Sequence, residues 1–438
     1  MPSSPADPPD PTAATGLRVR PFRALTYRRR DPGTLARVSS PAYDLVTPEG
    51  RDRLSAADPH NIVRLILPGV AGGAGGPGAG DAGGPGDGAL HRSVSGAATT
   101  LRDWERAGVL ERDAEPALWV YALRPAGGAP ETVGWLGAVG LPPAGSREVL
   151  PHEDTFPAAV EGRRALLEAT ATDLEPIVLA HDPHPDVPAL TAAGRRGAPT
   201  LELTDADGVR HALWRVSDPG LTGRVAAALA GTGAVIADGH HRFAAARAHG
   251  AREILALLTP MGPGGLRVDP IHRVVPELAF DEAVAAAAGG FRATVLPVAA
   301  DGAAQEAERW LADPGQTGVL VSDGSRLVRL DAPSAQVTGA VPPEAPAAWR
   351  GLDVVLVHHG LVRRLWGRAD DPAGVLVAHG VAAALDGALA HRGVALLLRA
   401  PSPADVAAVA RAGARMPRKS TLFVPKPRTG LVLRHHGD

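Results

Sequence analysis

Ile236-Ala237-Asp238-Gly239-His240-His241-Arg242 carries an apolar run straight into an Asp-Gly pair, two histidines and an arginine. The run Ala234 to Ala237 predicts a buried strand, and Phe243 to His249 predicts the helix after it. A strand feeding a helix through one glycine points to an α/β, or mixed α+β, fold. Gly239 permits a sharp turn and close backbone approach. A helix start offers N–H groups and the positive end of its dipole to an anion. Arg242 can clamp a phosphate in bidentate fashion. Asp238 can hold Mg²⁺ or a hydroxyl, and His240 and His241 can donate to phosphoryl oxygens or carry a proton. The competing reading is structural: Asp238 caps the helix and the histidines pack locally. The clustering of titratable groups after a buried strand favours chemistry.

Working outward, Leu201 to Leu203 and His211 to Val216 flank Asp207-Gly208 and predict a hairpin. Pro176 to Ala180 and Ile254 to Leu258 predict strands, and Glu161 to Thr170 and Leu221 to Leu229 predict helices. Leu118 to Leu123 and Val133 to Leu141 predict a strand pair, and Asn61 to Leu67 a further extended run. Thr47-Pro48-Glu49 has the pattern of a helix start, with Thr47 as its cap. After about Pro276, Ala-rich helices alternate with short strands. The expected organisation is a disordered tail over 1–16 and an N-terminal α/β region over 17–141. A core over 142–276 and a C-terminal α/β region over 277–438 follow. Gly69 to Gly88 is nearly all Gly, Ala, Pro and Asp, and is expected to be a flexible insert in the first region.

The chain has 438 residues, a formal net charge of -2 and no cysteine. That charge balance gives no electrostatic case for nucleic acid or an anionic membrane surface. Without cysteine there are no disulfides, thiolate nucleophiles or Cys-ligated metals. No apolar run is long enough to span a membrane. A cytoplasmic protein is the expectation, with a homodimer as one possible assembly.

Two further segments carry chemistry-bearing residues. His152-Glu153-Asp154-Thr155 follows a strand and precedes a helical run. Glu153 is a candidate general base for a hydroxyl, while Asp154 or Thr155 is a candidate helix cap. Met416-Pro417-Arg418-Lys419-Ser420-Thr421 gathers two cations and two hydroxyls before the strand Leu422 to Val424. It can bind nucleotide phosphate, although it lacks the glycines of a P-loop; a solvated loop is the alternative. The pairs His358-His359 and His435-His436 have no spaced third ligand and read as surface or packing residues.

Several of these stretches, in order, resemble the bacterial family grouped as domain of unknown function 1015. They are Arg20-Pro21-Phe22-Arg23-Ala24, Pro41-Ala42-Tyr43-Asp44, Asn61 to Leu65, Leu150 to Glu153, Ala237 to Arg242, and Met416 to Thr421 through Pro425-Lys426 and Thr429-Gly430-Leu431. The middle region also resembles the ParB-like free serine kinases, through Pro151-His152-Glu153, Pro176-Ile177-Val178 and Asp238 to Arg242. That second resemblance implies a Mg²⁺-dependent phosphotransferase using ATP or ADP, with free L-serine converted to O-phosphoserine. It implies Glu153 as base, and Asp238, His240, His241 and Arg242 at the phosphoryl group, with Asp238 on the metal. Gly239 and the Arg418, Lys419, Ser420 and Thr421 set would complete the nucleotide site. The chain departs from the kinase pattern at Phe243-Ala244-Ala245, at Gly162-Arg163 and at Pro41-Ala42-Tyr43, where polar groups or a double proline are usual. Those departures imply a substrate other than serine or reduced activity, and the one after Arg242, at Phe243-Ala244-Ala245, favours a second reading, a ParB-like module that binds nucleotide without catalysis. A metal-dependent hydrolase using the histidine pair is a third, and its ligands lack metal-type spacing.

Overall fold

The computed structural model describes residues 16–69, 87–299, 302–369, 371 and 374–437. The expected N-terminal tail, apart from its last residue, and residues 70–86 of the Gly-rich insert lie outside the described residues. The chain divides into two compact units: one runs to Leu266 and resumes at Pro425, and the other is Arg267–Val424. Both mix strands and helices, as expected of an α/β chain.

The first unit is built on a nine-stranded mixed sheet. Its order begins Val149–Leu150, Ala234–Asp238, Ile177–His181, Glu253–Pro260 and Thr132–Gly140, then continues Leu118–Arg124, Arg210–Val216 and Leu201–Thr204. Val19–Arg20 adds to Thr132–Gly140. Ala234–Asp238 runs parallel to Val149–Leu150 and antiparallel to Ile177–His181. Regions expected as separate, 17–141 and 142–276, therefore share one sheet: Thr132–Gly140 pairs with Glu253–Pro260. Ile254 through Thr259 is buried without a break, the pattern of a strand covered on both faces. The core joins Leu118, Val120, Trp135, Ile177, Leu179, Ile236, Phe243, Ala256 and Leu258.

Helices Pro157–Thr170 and His240–His249 pack on each other beside this sheet. Asp154 and Thr155 were the candidate caps for the first. Its N-cap is Phe156, which has no side-chain capping bond, and Pro157 pre-sets the first turn. Thr47 does cap Pro48–Ala57, accepting from the Gly50 N–H.

Asn61 to Leu67, read as extended, instead contains a short helix, Val63–Ile66. The reason is local. Asn61 is fully buried, its Oδ1 accepts the Val63 N–H at 2.9 Å, and its Nδ2 donates to the carbonyls of Arg37 and Ser39. An asparagine side chain that bonds the backbone two residues on bends the chain out of a ladder.

The second unit holds a six-stranded sheet, ordered Arg292–Leu296, Leu327–Asp331, Val319–Ser322, Val394–Leu397, Ile271–Val275, Leu376–His379, with every neighbour antiparallel. A separate two-stranded ribbon pairs Arg267–Asp269 with Leu422–Val424. No described helix is long and apolar enough to cross a membrane.

Candidate functional site

Four buried residues, Ala234 to Ala237, bring the chain to Asp238, the last residue of its strand. The register against Ile177–His181 shifts between Ile236 and Asp238, which re-aims the strand end. Gly239 then takes φ 93° and ψ 30°, a left-handed conformation. A Cβ there would lie 2.7 Å from Ile177 Cγ2, so the position demands glycine on both counts. The helix begins at once, so His240 and His241 occupy its first turn and not the loop before it. Asp238 does not cap this helix, because Gly239 is the cap residue.

Asp238 instead ties two cations. Its Oδ2 accepts from Arg242 Nη2 at 2.5 Å, and its Oδ1 lies 2.7 Å from Lys426 Nζ. Lys426 also donates to Asp44 Oδ2. Arg242 Nη1 donates to the Pro176 carbonyl at 2.6 Å and lies 3.9 Å from Glu175 Oε2. Glu175 is held in turn, its Oε1 accepting from the Tyr43 N–H at 3.0 Å and the Thr429 hydroxyl at 2.7 Å. The Tyr43 ring lies beneath two guanidiniums, Arg163 at 4.0 Å and Arg242 at 5.7 Å.

Burial alone would raise the Asp238 carboxyl, but Lys426 and Arg242 outweigh it and hold it below the usual carboxylate range. Burial would likewise discharge Lys426, yet Asp238 and Asp44 raise it above an ordinary lysine. Arg242 is raised too, with Glu175 and Asp238 more than offsetting its desolvation. All three are fixed charges at neutral pH. Arg242 was expected to clamp phosphate; each of its terminal nitrogens here gives one N–H to a protein acceptor, which turns the guanidinium inward.

The expected metal role of Asp238 meets the same geometry. Both of its oxygens are in charge-assisted contacts with cations, and a divalent ion would have to displace one of them. Among the described residues no group of three His, Asp or Glu side chains is placed to hold a metal. The residues present do not fit a resident Mg²⁺.

Glu153 lies on the stretch that crosses to the helix start. The His152 N–H donates to His240 Nε2 at 3.3 Å, and the two rings meet edge to face at 4.6 Å. The Phe156 N–H donates to His241 Nε2 at 3.2 Å, with the rings stacked at 5.9 Å. Both helix histidines therefore accept on Nε2, which in the neutral ring assigns the proton to Nδ1. Glu153 Oε1 is 3.8 Å from His152 Nε2, and the Glu153 side chain is 36% exposed. The histidines thus pin the segment 152–156 over the first helical turn and leave the carboxylate accessible.

Asp44, Glu175 and Lys426 were not expected here. Their motifs, Pro41 to Asp44 and Pro425-Lys426, stood out in the sequence without a role. Nothing local reveals that positions 44, 238 and 426 meet. Arg418, Lys419, Ser420 and Thr421 lie in the second unit. Arg418 and Lys419 are exposed, Ser420 and Thr421 buried. Lys419 has a left-handed φ of 52°, and Ser420 Oγ donates to the Pro417 carbonyl at 2.6 Å. Below this turn a fully buried arginine, Arg273, donates to the Arg418 carbonyl at 3.2 Å and to His358 Nε2 at 3.1 Å. His358 is accordingly a packing residue. His436 is another, its Nε2 donating to Asp173 Oδ1 at 3.0 Å.

Among solved structures, the chain is similar to SbnI with C-terminal truncation from Staphylococcus aureus, at 13% identity and a TM-score of 0.35, covering 68% of this chain and 85% of that one. It is similar to a free serine kinase in complex with AMP, at 14% identity and a TM-score of 0.31, covering 63% and 84%. A conserved hypothetical protein from Pyrococcus furiosus matches at 13% identity and a TM-score of 0.30, covering 65% and 92%. No curated protein matches. Residues 19–355 match the family described as "Protein of unknown function (DUF1015)", and the chain belongs to that family.

Proposed function

We propose that the chain is a nucleotide-dependent phosphotransferase acting on the hydroxyl of a small molecule, with free L-serine the first acceptor to test. One observation carries the reading. The segment that carries the accessible Glu153 carboxylate is pinned through the His152 and Phe156 N–H groups by two histidines at the start of helix His240–His249, beside a turn locked by Asp238, Arg242 and Lys426. Phosphoryl transfer needs an oriented nucleophile and fixed positive charge around the phosphoryl oxygens. Glu153 accepts the hydroxyl proton as the new O–P bond forms. The P–O bond to the nucleotide breaks, and the nucleotide leaves with that electron pair. The helix dipole and the nearby cations lower the energy of the negative charge on the transferring group. Asp238, tied to two cations, does not fit a resident metal; Mg²⁺ would enter with the nucleotide as its complex.

The order of Pro151-His152-Glu153 and Asp238 to Arg242 is what makes serine the first choice, through the resemblance to the ParB-like kinases. Mass spectrometry should detect O-phosphoserine from ATP or ADP, Mg²⁺ and serine. Glu153→Gln should lower the rate by about 10²–10⁴-fold, the range for losing a positioned base. No product from serine or from a panel of amino and hydroxy acids would defeat the kinase reading.

The alternative is a module that binds nucleotide without transferring phosphate. It is favoured by Phe243, which sits in the core, and by Ala244 and Ala245 beside it, which leave the three positions after Arg242 without polar groups. Nucleotide binding unchanged in Glu153→Gln, with no turnover in the wild type, would select it.

A further inference from the structure

Resting on the phosphate-handling reading, we infer that Lys426 is the side chain that grips the phosphate, and that Arg242 is the strut that holds the turn in shape. Arg242 is turned inward. It is 12% exposed, its Nη1 is on the Pro176 carbonyl, its Nη2 is on Asp238, and its face lies over Tyr43. One N–H of each terminal nitrogen is committed to a protein acceptor, so the guanidinium is held facing the interior rather than presented as an open fork to a ligand.

Lys426 differs in what it leaves over. An ammonium carries three N–H donors. Two are directed to Asp44 Oδ2 and Asp238 Oδ1. The third is uncommitted among the described contacts, and 10% of the side chain remains open to solvent. The two carboxylates do more than neutralise the charge. They fix Nζ in place, so little side-chain entropy remains to be lost when an anion arrives. Asp238 directly precedes Gly239, so Nζ stands beside the positive end of helix His240–His249. A lysine point charge next to a helix N-terminus is a combination suited to phosphate.

A second observation concerns Asp44. The Asp44 side chain is 39% exposed, yet its Oδ1 is shielded from solvent and has no hydrogen-bond partner among the described residues. A buried acceptor of that kind is costly unless a donor fills it. Lys426 and Asp44 thus offer a donor and an acceptor side by side. The ligand class that fits is a phosphate or diphosphate ester accompanied by a hydroxyl. The same pair accounts for the motifs Pro41 to Asp44 and Pro425-Lys426, which the proposed transfer step does not itself use.

Calorimetry with ADP and with inorganic pyrophosphate tests this on the full chain. Lys426→Met combined with Asp44→Asn removes one charge of each sign and avoids stranding two carboxylates. It should bind both ligands at least about tenfold more weakly, with the wild-type circular dichroism spectrum. Asp44→Asn alone keeps the cation and removes one of its neutralising partners. It should bind pyrophosphate about threefold more tightly. Wild-type affinity in the double variant overturns the inference and leaves the phosphotransferase reading standing. So does unchanged or weaker pyrophosphate binding by Asp44→Asn, which decides the matter alone if the double variant does not fold. If the wild type binds neither ligand, the phosphotransferase reading falls and the role of Lys426 falls with it.

Discussion

At the residue scale, the turn at Asp238-Gly239 combines a backbone demand with an electrostatic one. The glycine was legible in the sequence, since a strand entering a helix in one step calls for a residue that tolerates positive φ. The contact with Ile177 was not legible, because that residue comes from another strand. Gly239→Ala places a Cβ against Ile177 and forces a left-handed alanine. It should cost at least about 2 kcal/mol, seen as a lowered denaturation midpoint. An unchanged midpoint would mean that the turn relaxes freely. The direction taken by Arg242 was equally hidden. A sequence shows that an arginine follows two histidines, but only neighbouring acceptors decide whether it faces a ligand or the interior. Here Pro176, Glu175 and Asp238 provide them.

At the scale of elements, the segment after Pro425 completes the first unit. Strand Leu433–His435 pairs with Ala24–Tyr27 and Thr172–Asp173. Arg428 is buried, bonding Ser39 Oγ at 2.8 Å and the Ser39 carbonyl at 3.1 Å. Arg434, 4% exposed, donates to Asp173 Oδ2 at 2.8 Å and to Glu253 Oε2 at 3.0 Å. Asp173 also accepts the Leu255 N–H, so this arginine supports the sheet at its centre. Arg434→Ala strands a buried carboxylate and should destabilise the chain by about 3–5 kcal/mol in urea unfolding. A loss under 1 kcal/mol would mean that water replaces the guanidinium at little cost. The hairpin at Asp207-Gly208 and the Thr47 cap could be read from sequence, because their chemistry is local. The helix Val63–Ile66 could not, because the acceptors that hold the Asn61 amide lie on the Arg37 to Ser39 stretch.

At the scale of the whole molecule, acid should act on the second unit through His272. This imidazole is fully buried in strand Ile271–Val275, and its Nδ1 accepts the Leu398 N–H at 3.2 Å. Burial first, then Arg273 and His379, push its pKa from 6.5 down to about 4. Between those values the unfolded chain binds the proton and the folded chain does not. The contribution of neutral His272 is therefore complete above pH 6.5 and declines as pH falls toward 4, by up to about 3 kcal/mol. Urea midpoints measured between pH 7.5 and 4.5 should fall accordingly, and His272→Asn should flatten the slope. An equal slope in that variant would assign the acid sensitivity to other groups. The amino-acid sequence by itself determined the mixed α/β class, the strand-turn-helix at Asp238 to Arg242, and the family resemblance. Those depend on periodicity, on glycine and on residues adjacent in the chain. Tertiary structure alone decided that Asp44, Glu175 and Lys426 join that turn, and that Arg242 faces inward. It also decided that the residues from Pro425 onward return to the first unit. Buried charges must be paired, and the partner that satisfies each one comes from wherever the fold brings the chain back, at separations that no local pattern encodes.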